Sequence, residues 1–173
     1  KYGNETSTGG AFGFIVSDDS LLYVHTHFND IISNIKVNGN SWEYVSITLD
    51  NSGNYSFYIN GENAGSGNLS INTISSDLFI GFENYPGAGN NWWSYFGGKI
   101  DHIELWGSAL TQSEIQNYMS SPPTGNEAGL VGYWNFNEGS GSTVTDLTGN
   151  GNNGTIYGAT WSEDVPEQYA NNC

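Results

Sequence analysis

The stretch Lys99-Ile100-Asp101-His102-Ile103-Glu104 places two carboxylates and an imidazole close together. A pair of carboxyl groups, one ionised to attack and one protonated to assist the leaving group, is what hydrolysis of a glycosidic bond with retention requires. The competing reading is an ordinary strand that alternates Ile100, His102 and Glu104 against Asp101, Ile103 and Leu105. A second constellation is Asp146-Leu147-Thr148-Gly149-Asn150-Gly151-Asn152-Asn153-Gly154, which gathers one carboxylate with amide and backbone oxygens in a glycine-rich loop. Calcium takes about six to eight hard oxygens, and such a loop would supply part of that set, although it lacks the acidic spacing and closing Glu of an EF-hand. Asn and Gly also form turns without any ion. A third is Glu83-Asn84-Tyr85-Pro86-Gly87-Ala88-Gly89-Asn90-Asn91-Trp92-Trp93-Ser94-Tyr95, which reads as a loop carrying aromatic faces for sugar C–H surfaces and amides for hydroxyls. Tyr85, Trp92, Trp93 and Tyr95 are the candidate ligand-binding residues, with Tyr85 and Trp92 the better exposed and Trp93 and Tyr95 able to pack under a sheet edge. His25 and His27 would share a strand face, a spacing used in some zinc sites, but no third ligand lies nearby in sequence.

Elements that hold such groups are legible from composition. The chain has 173 residues, enough for one domain with its own core, and its aromatic content (14%) exceeds its charged content (12%) while glycine reaches 24 residues. That balance is typical of short strands separated by glycine turns. Lys1, Lys36 and Lys99 are its only basic residues against eighteen acids, so nothing is available to neutralise phosphates, and nucleic acids and anionic membrane surfaces are excluded as partners. The scattered acids form a solvated surface that attracts divalent cations, which makes calcium the first cofactor to consider. Cys173 is the single cysteine, so neither an intrachain disulfide nor a cysteine metal site is expected. The polar start at Lys1-Tyr2-Gly3-Asn4 carries no signal peptide and reads as processed or cut; acidity with few Lys suggests an exported protein. Sequons begin at Asn4, Asn54, Asn68 and Asn153, as expected by chance in so Asn-, Ser- and Thr-rich a chain.

Alternation with period two predicts strands over residues 11–16, 21–26, 42–49, 55–59, 77–82, 96–106, 130–136 and 154–157. The turn formers at residues 50–54 and Asn60-Gly61 separate antiparallel neighbours. One helix is expected at residues 111–119, opened by a capping box of Thr111 with Glu114 and closed before Pro122-Pro123. The fold class is therefore all-β, a two-sheet antiparallel jelly-roll sandwich with one short peripheral helix. Residues 122–128 have linker-like composition, and the segment of residues 129–166 that follows is too short to bury a core alone.

Residues 97–106 followed by 109–115 resemble the closing strand and helix of laminin-G-like, concanavalin A-type jelly rolls, and Trp42 to Asp50 with Tyr58-Ile59-Asn60-Gly61 resembles that family's central hairpin. Residues 129–141 and 146–155 resemble its opening, placed after its end. The resemblance implies that residues 1–121 are the C-terminal two-thirds of the jelly roll. It further implies that residues 129–166 complete a sandwich, in this chain by preference or in a neighbour by strand exchange, with residues 167–173 a tail. It implies a structural calcium between opening loop and closing strand, on Asp101, Asp146, Asn150 and Asn152. In β-glucanases of this fold the closing strand reads Glu-Ile-Asp-x-x-Glu; Lys99 stands where the nucleophile would be, which implies no catalysis. The expected function is a non-catalytic extracellular binding and adhesion module of a bacterial surface or secreted protein, whose rim loops recognise a glycan or protein. The alternatives are a structural subunit joined to copies of itself by strand exchange and, more weakly, a polysaccharide hydrolase.

Overall fold

The turn residues after Leu49 show how this sequence builds a hairpin. The Asp50 carboxylate accepts the backbone N–H groups of Ser52 (2.8 Å) and Asn54 (2.9 Å), and Gly53 sits at φ +83° where a Cβ would run into the carbonyl oxygen of Leu69. In the computed structural model, which describes residues 13–25, 30–69, 77–87 and 90–166, this turn joins β4 (Val45–Leu49) to β5 (Asn54–Ile59). Asn60 and Gly61, at φ +51° and +76°, then make the two-residue turn into β6 (Glu62–Asn68). These three strands form one antiparallel sheet, and β1 (Gly13–Val16), β2 (Leu21–His25) and β3 (Ile31–Lys36) form another, each in sequence order.

Alternation along the strands points one set of side chains inward. Leu22 and Val24 of β2 meet Phe57 and Ile59 of β5, Ala64 of β6 and Leu69 in one buried cluster, with Phe14, Val16, Ile31, Val45 and Ile47 packed around it. Two sheets sharing one such core make a sandwich. Where the β2–β3 register slips between Leu21 and Tyr23, the buried Ser33 hydroxyl accepts the Leu22 N–H at 3.0 Å in place of a ladder carbonyl. A hairpin of β7 (Phe82–Gly87) and β8 (Asn90–Tyr95) completes this unit, which runs from Lys1 to Gly98.

The second compact unit runs from Lys99 to Cys173. Here β9 (Ile103–Trp106) pairs antiparallel with β10 (Leu130–Trp134), and β11 (Thr143–Val144) with β12 (Gly154–Thr155). The helix α1 (Gln112–Ser120) starts at Thr111 with the expected reciprocal capping box: the Glu114 carboxylate accepts the Thr111 N–H at 2.7 Å, and the Thr111 hydroxyl accepts the Glu114 N–H at 3.3 Å. Its Tyr118 ring lies 4.7 Å from that of Trp106. Residues 122–128, linker-like by composition, are a hydrogen-bonded turn. Glu127 accepts the N–H groups of Thr124 (2.8 Å) and Gly125 (3.0 Å), and a Cβ at Gly125 would collide with the Leu147 carbonyl. The segment resembling a family opening thus sends β10 to pair with β9 of its own chain. No helix among the described residues is long and apolar enough to cross a membrane.

Candidate functional site

Residues 83–87 and 90–95, expected as a loop, are drawn into the β7–β8 ladder, in which Tyr85 stands opposite Trp92 and Phe82 opposite Tyr95. Trp93 stands opposite Asn84, one ladder position from Trp92. The side chains of residues 83–94 lie outside the described part of the structure, so Tyr85, Trp92 and Trp93 are placed by register. Tyr95 is described in full. Its side chain is 73% exposed, with its ring centroid 5.3 Å from Phe82, and Phe82 in turn meets Phe79 edge-on at 5.7 Å. Leu78, Phe79, Ile80 and Phe96 are exposed around it, and the Phe96 N–H donates to the Gly81 carbonyl at 2.9 Å. Tyr95, a candidate ligand-binding residue that could also have packed under a sheet edge, displays its ring beside Phe82.

Phe79 and Phe82 lie in the strand expected over residues 77–82, which breaks for a local reason. Residues 78–81 do not form a continuous strand; Gly81 turns the chain at φ +71° and β7 starts at Phe82. A glycine inside an apolar run was the available signal.

Asp146, Asn150 and Asn152 come together as expected. Yet the donors that meet them are hydrogens of the protein. The buried Asp146 carboxylate accepts the Thr148 hydroxyl (2.7 Å), the Thr148 N–H (3.0 Å), the Asn152 N–H (3.0 Å) and the Tyr133 N–H (3.2 Å). Three of these donors meet Oδ1 and one meets Oδ2. Burial pushes its pKa up, but these hydrogen bonds, led by Thr148, outweigh it and hold the group below the usual aspartate range. Asn150 and Asn152 turn their amide nitrogens, not their oxygens, toward the loop's focus and donate to the Val131 carbonyl at 3.0 Å each. In this arrangement both amides present hydrogens rather than lone pairs to the Val131 carbonyl. Among the described residues, no three His, Cys, Asp or Glu side chains are grouped to hold a metal ion.

Asp101, the fourth expected ligand, is engaged locally: its carboxylate accepts the His102 N–H at 2.9 Å and faces His102 Nδ1 at 3.0 Å, with both side chains nearly buried. His102 sits at φ +48°, which delays β9 to Ile103 and shortens the strand expected from residue 96. Lys99 pairs with Asp164 on the surface, and Glu104 accepts the Trp106 indole N–H at 3.0 Å. His25 lies at the end of β2, and His27 falls outside the described residues.

A family model of the concanavalin A-like lectin/glucanases superfamily, in its laminin-G-like branch, matches residues 2–116. The chain belongs to this family. The laminin-G-like match covers all but the first residue of the first unit and ends within α1. No curated protein matches the chain. A crystal structure of a candidate carbohydrate-binding protein from Bacteroides ovatus is similar, at 20% identity and a TM-score of 0.61, over 87% of this chain and 45% of that one. This laminin-G-like chain thus spans less than half the length of that relative, and the likeness is one of fold. An S-layer domain-containing protein from Clostridium thermocellum aligns at 20% identity and a TM-score of 0.41, over 68% of this chain and 66% of its own.

Proposed function

We propose that this laminin-G-like chain is a non-catalytic module that binds a neutral glycan outside the cell or at its surface, through the aromatic face around Tyr95. The observation that carries this reading is the exposed Tyr95 ring, which contacts Phe82, itself in contact with Phe79. An exposed aromatic face suits the C–H surface of a pyranose, and Asn84, Asn90 and Asn91 on the same hairpin are amides of the kind that meet hydroxyls. A net charge of −15 disfavours sulfated or uronate-rich chains, which narrows the ligand class to neutral sugars.

The superfamily's name spans lectins and glucanases, so the absence of catalysis is argued from residues. Lys99, where a nucleophilic carboxylate would stand, pairs with Asp164, and the remaining acids Asp101 and Glu104 are engaged by His102 and Trp106. Retention needs two carboxyl groups free to work on the scissile bond about 5–5.5 Å apart. The β9–β10 pairing within one chain favours a binding module over a subunit joined by strand exchange. Glycan-array screening followed by calorimetry tests the reading: saturable binding to a neutral polysaccharide is expected, without release of reducing ends. Array silence across neutral glycans, or steady hydrolysis, would refute it.

A further inference from the structure

The outward edge of β10 is occupied by its own chain. Pairing with β9 uses one side of the strand, and on the other side the Val131 carbonyl and both backbone groups of Tyr133 point away from β9. Each is met by residues 146–152. The Val131 carbonyl accepts the side-chain amides of Asn150 and Asn152, both at 3.0 Å. The Tyr133 N–H donates to the Asp146 carboxylate at 3.2 Å, and the Tyr133 carbonyl accepts the Leu147 N–H at 2.8 Å. Asp146 and Leu147 thus supply an acceptor and a donor in the order a third strand would, and side chains supply the rest. The loop is itself clamped: Asn153 accepts the Asp146 N–H at 2.9 Å, and the Trp134 indole donates to the Asn152 carbonyl at 2.9 Å.

We propose that the loop of residues 146–152 is an edge cap, which keeps the outer edge of β10 from adding a strand of a second copy of this chain. Open strand edges are templates for pairing, and proteins cover them with loops, charges or bulges. This edge combines several such devices: a covering loop, a buried carboxylate, and a register shift between Leu130 and Gly132. Apolar surface beside it makes the cap matter, since Val131 is 39% exposed, Leu147 39% and Leu105, on the paired strand, 41%. Backbone groups released next to such side chains present both the hydrogen bonds and the apolar contacts that strand addition uses. An acidic, glycine-rich loop that resembles a metal site in sequence therefore acts here on the chain's own backbone.

Light scattering of the Asn150→Ala/Asn152→Ala double variant tests the cap, because it removes both amide donors from the Val131 carbonyl, leaving only the long 3.5 Å approach of the Thr148 hydroxyl, and keeps Asp146 in place. With a wild-type circular dichroism spectrum, the variant is expected to rise in mass with concentration to a dimer or beyond, while the wild type does not. Adding Val131→Pro, tolerated on an edge and unable to pair there, is expected to return it to the wild-type mass. A folded double variant with the wild-type mass at every concentration overturns the proposal, and so does assembly that survives Val131→Pro. Should the double variant lose its fold, Asn150→Ala alone is judged by the same criteria; unfolding of both would show that the amides hold the fold and do not guard its edge.

Discussion

Single side chains here substitute for backbone. Ser33 does so at the β2–β3 register shift, where its hydroxyl receives the Leu22 N–H and donates to the Ile35 carbonyl at 2.8 Å. Ser33→Ala would leave a fully buried N–H without its acceptor, at about 1–3 kcal/mol. Urea unfolding should show that loss as a lower midpoint with an unchanged slope. Asp146 does the same for the loop around it, and its depressed pKa fixes the sign of a pH effect. A carboxylate whose folded pKa lies below its unfolded value contributes stability that is complete above the unfolded value, about 3.9, and lost as the pH falls through the folded value. Tryptophan fluorescence should therefore report an acid transition below the ordinary aspartate range, and Asp146→Asn should make the fold less stable at neutral pH while flattening that acid dependence. In sequence, an acid among Asn and Gly reads equally as an ion ligand or as a turn organiser. The difference lies in donors from Tyr133 and Val131's strand, which local spacing does not reveal.

Among elements, those with strong local signals were legible. The β4–β5–β6 turns follow from Asp50, Gly53 and Asn60-Gly61, and α1 from Thr111 and Glu114. Thr111→Ala should cost about 1 kcal/mol, read as faster amide exchange in the first turn of α1. Gly53→Ala should be strongly destabilising in thermal melts, since it combines φ +83° with a clash on the Leu69 carbonyl. Gly39→Ala, with nothing within 4 Å of its Cβ, should be close to neutral. Strands β3 and β6 were not legible. In Glu62-Asn63-Ala64-Gly65-Ser66-Gly67-Asn68 only Ala64 is apolar, and the segment is a strand because β5 pairs with it and because Gly65 lets it approach Asn34 of β3. The β7–β8 hairpin was hidden by its Pro, Gly and Asn content, which reads as a loop. The strand expected at residues 96–106 shrank to four residues because His102 adopts a positive φ, a conformation histidine visits more than most residues but too seldom to be read from sequence.

At the scale of the whole molecule, composition sets the partners this laminin-G-like chain refuses. Fifteen net negative charges with three lysines predict no binding to heparin-like or pectate-like chains at low salt, where the repulsion is least screened. Since the Asp146 loop is satisfied by the chain's own donors, calcium chelation should leave both the melting temperature and glycan binding unchanged. The central claim is that a neutral glycan stacks on the Tyr95 face. Calorimetry of the wild type and Tyr95→Ala with one neutral polysaccharide, both proteins first shown to melt alike, tests it most directly. The account predicts saturable binding by the wild type, weakened about tenfold or more in the variant, equivalent to about 1.4 kcal/mol. Equal affinity for the two proteins would contradict it.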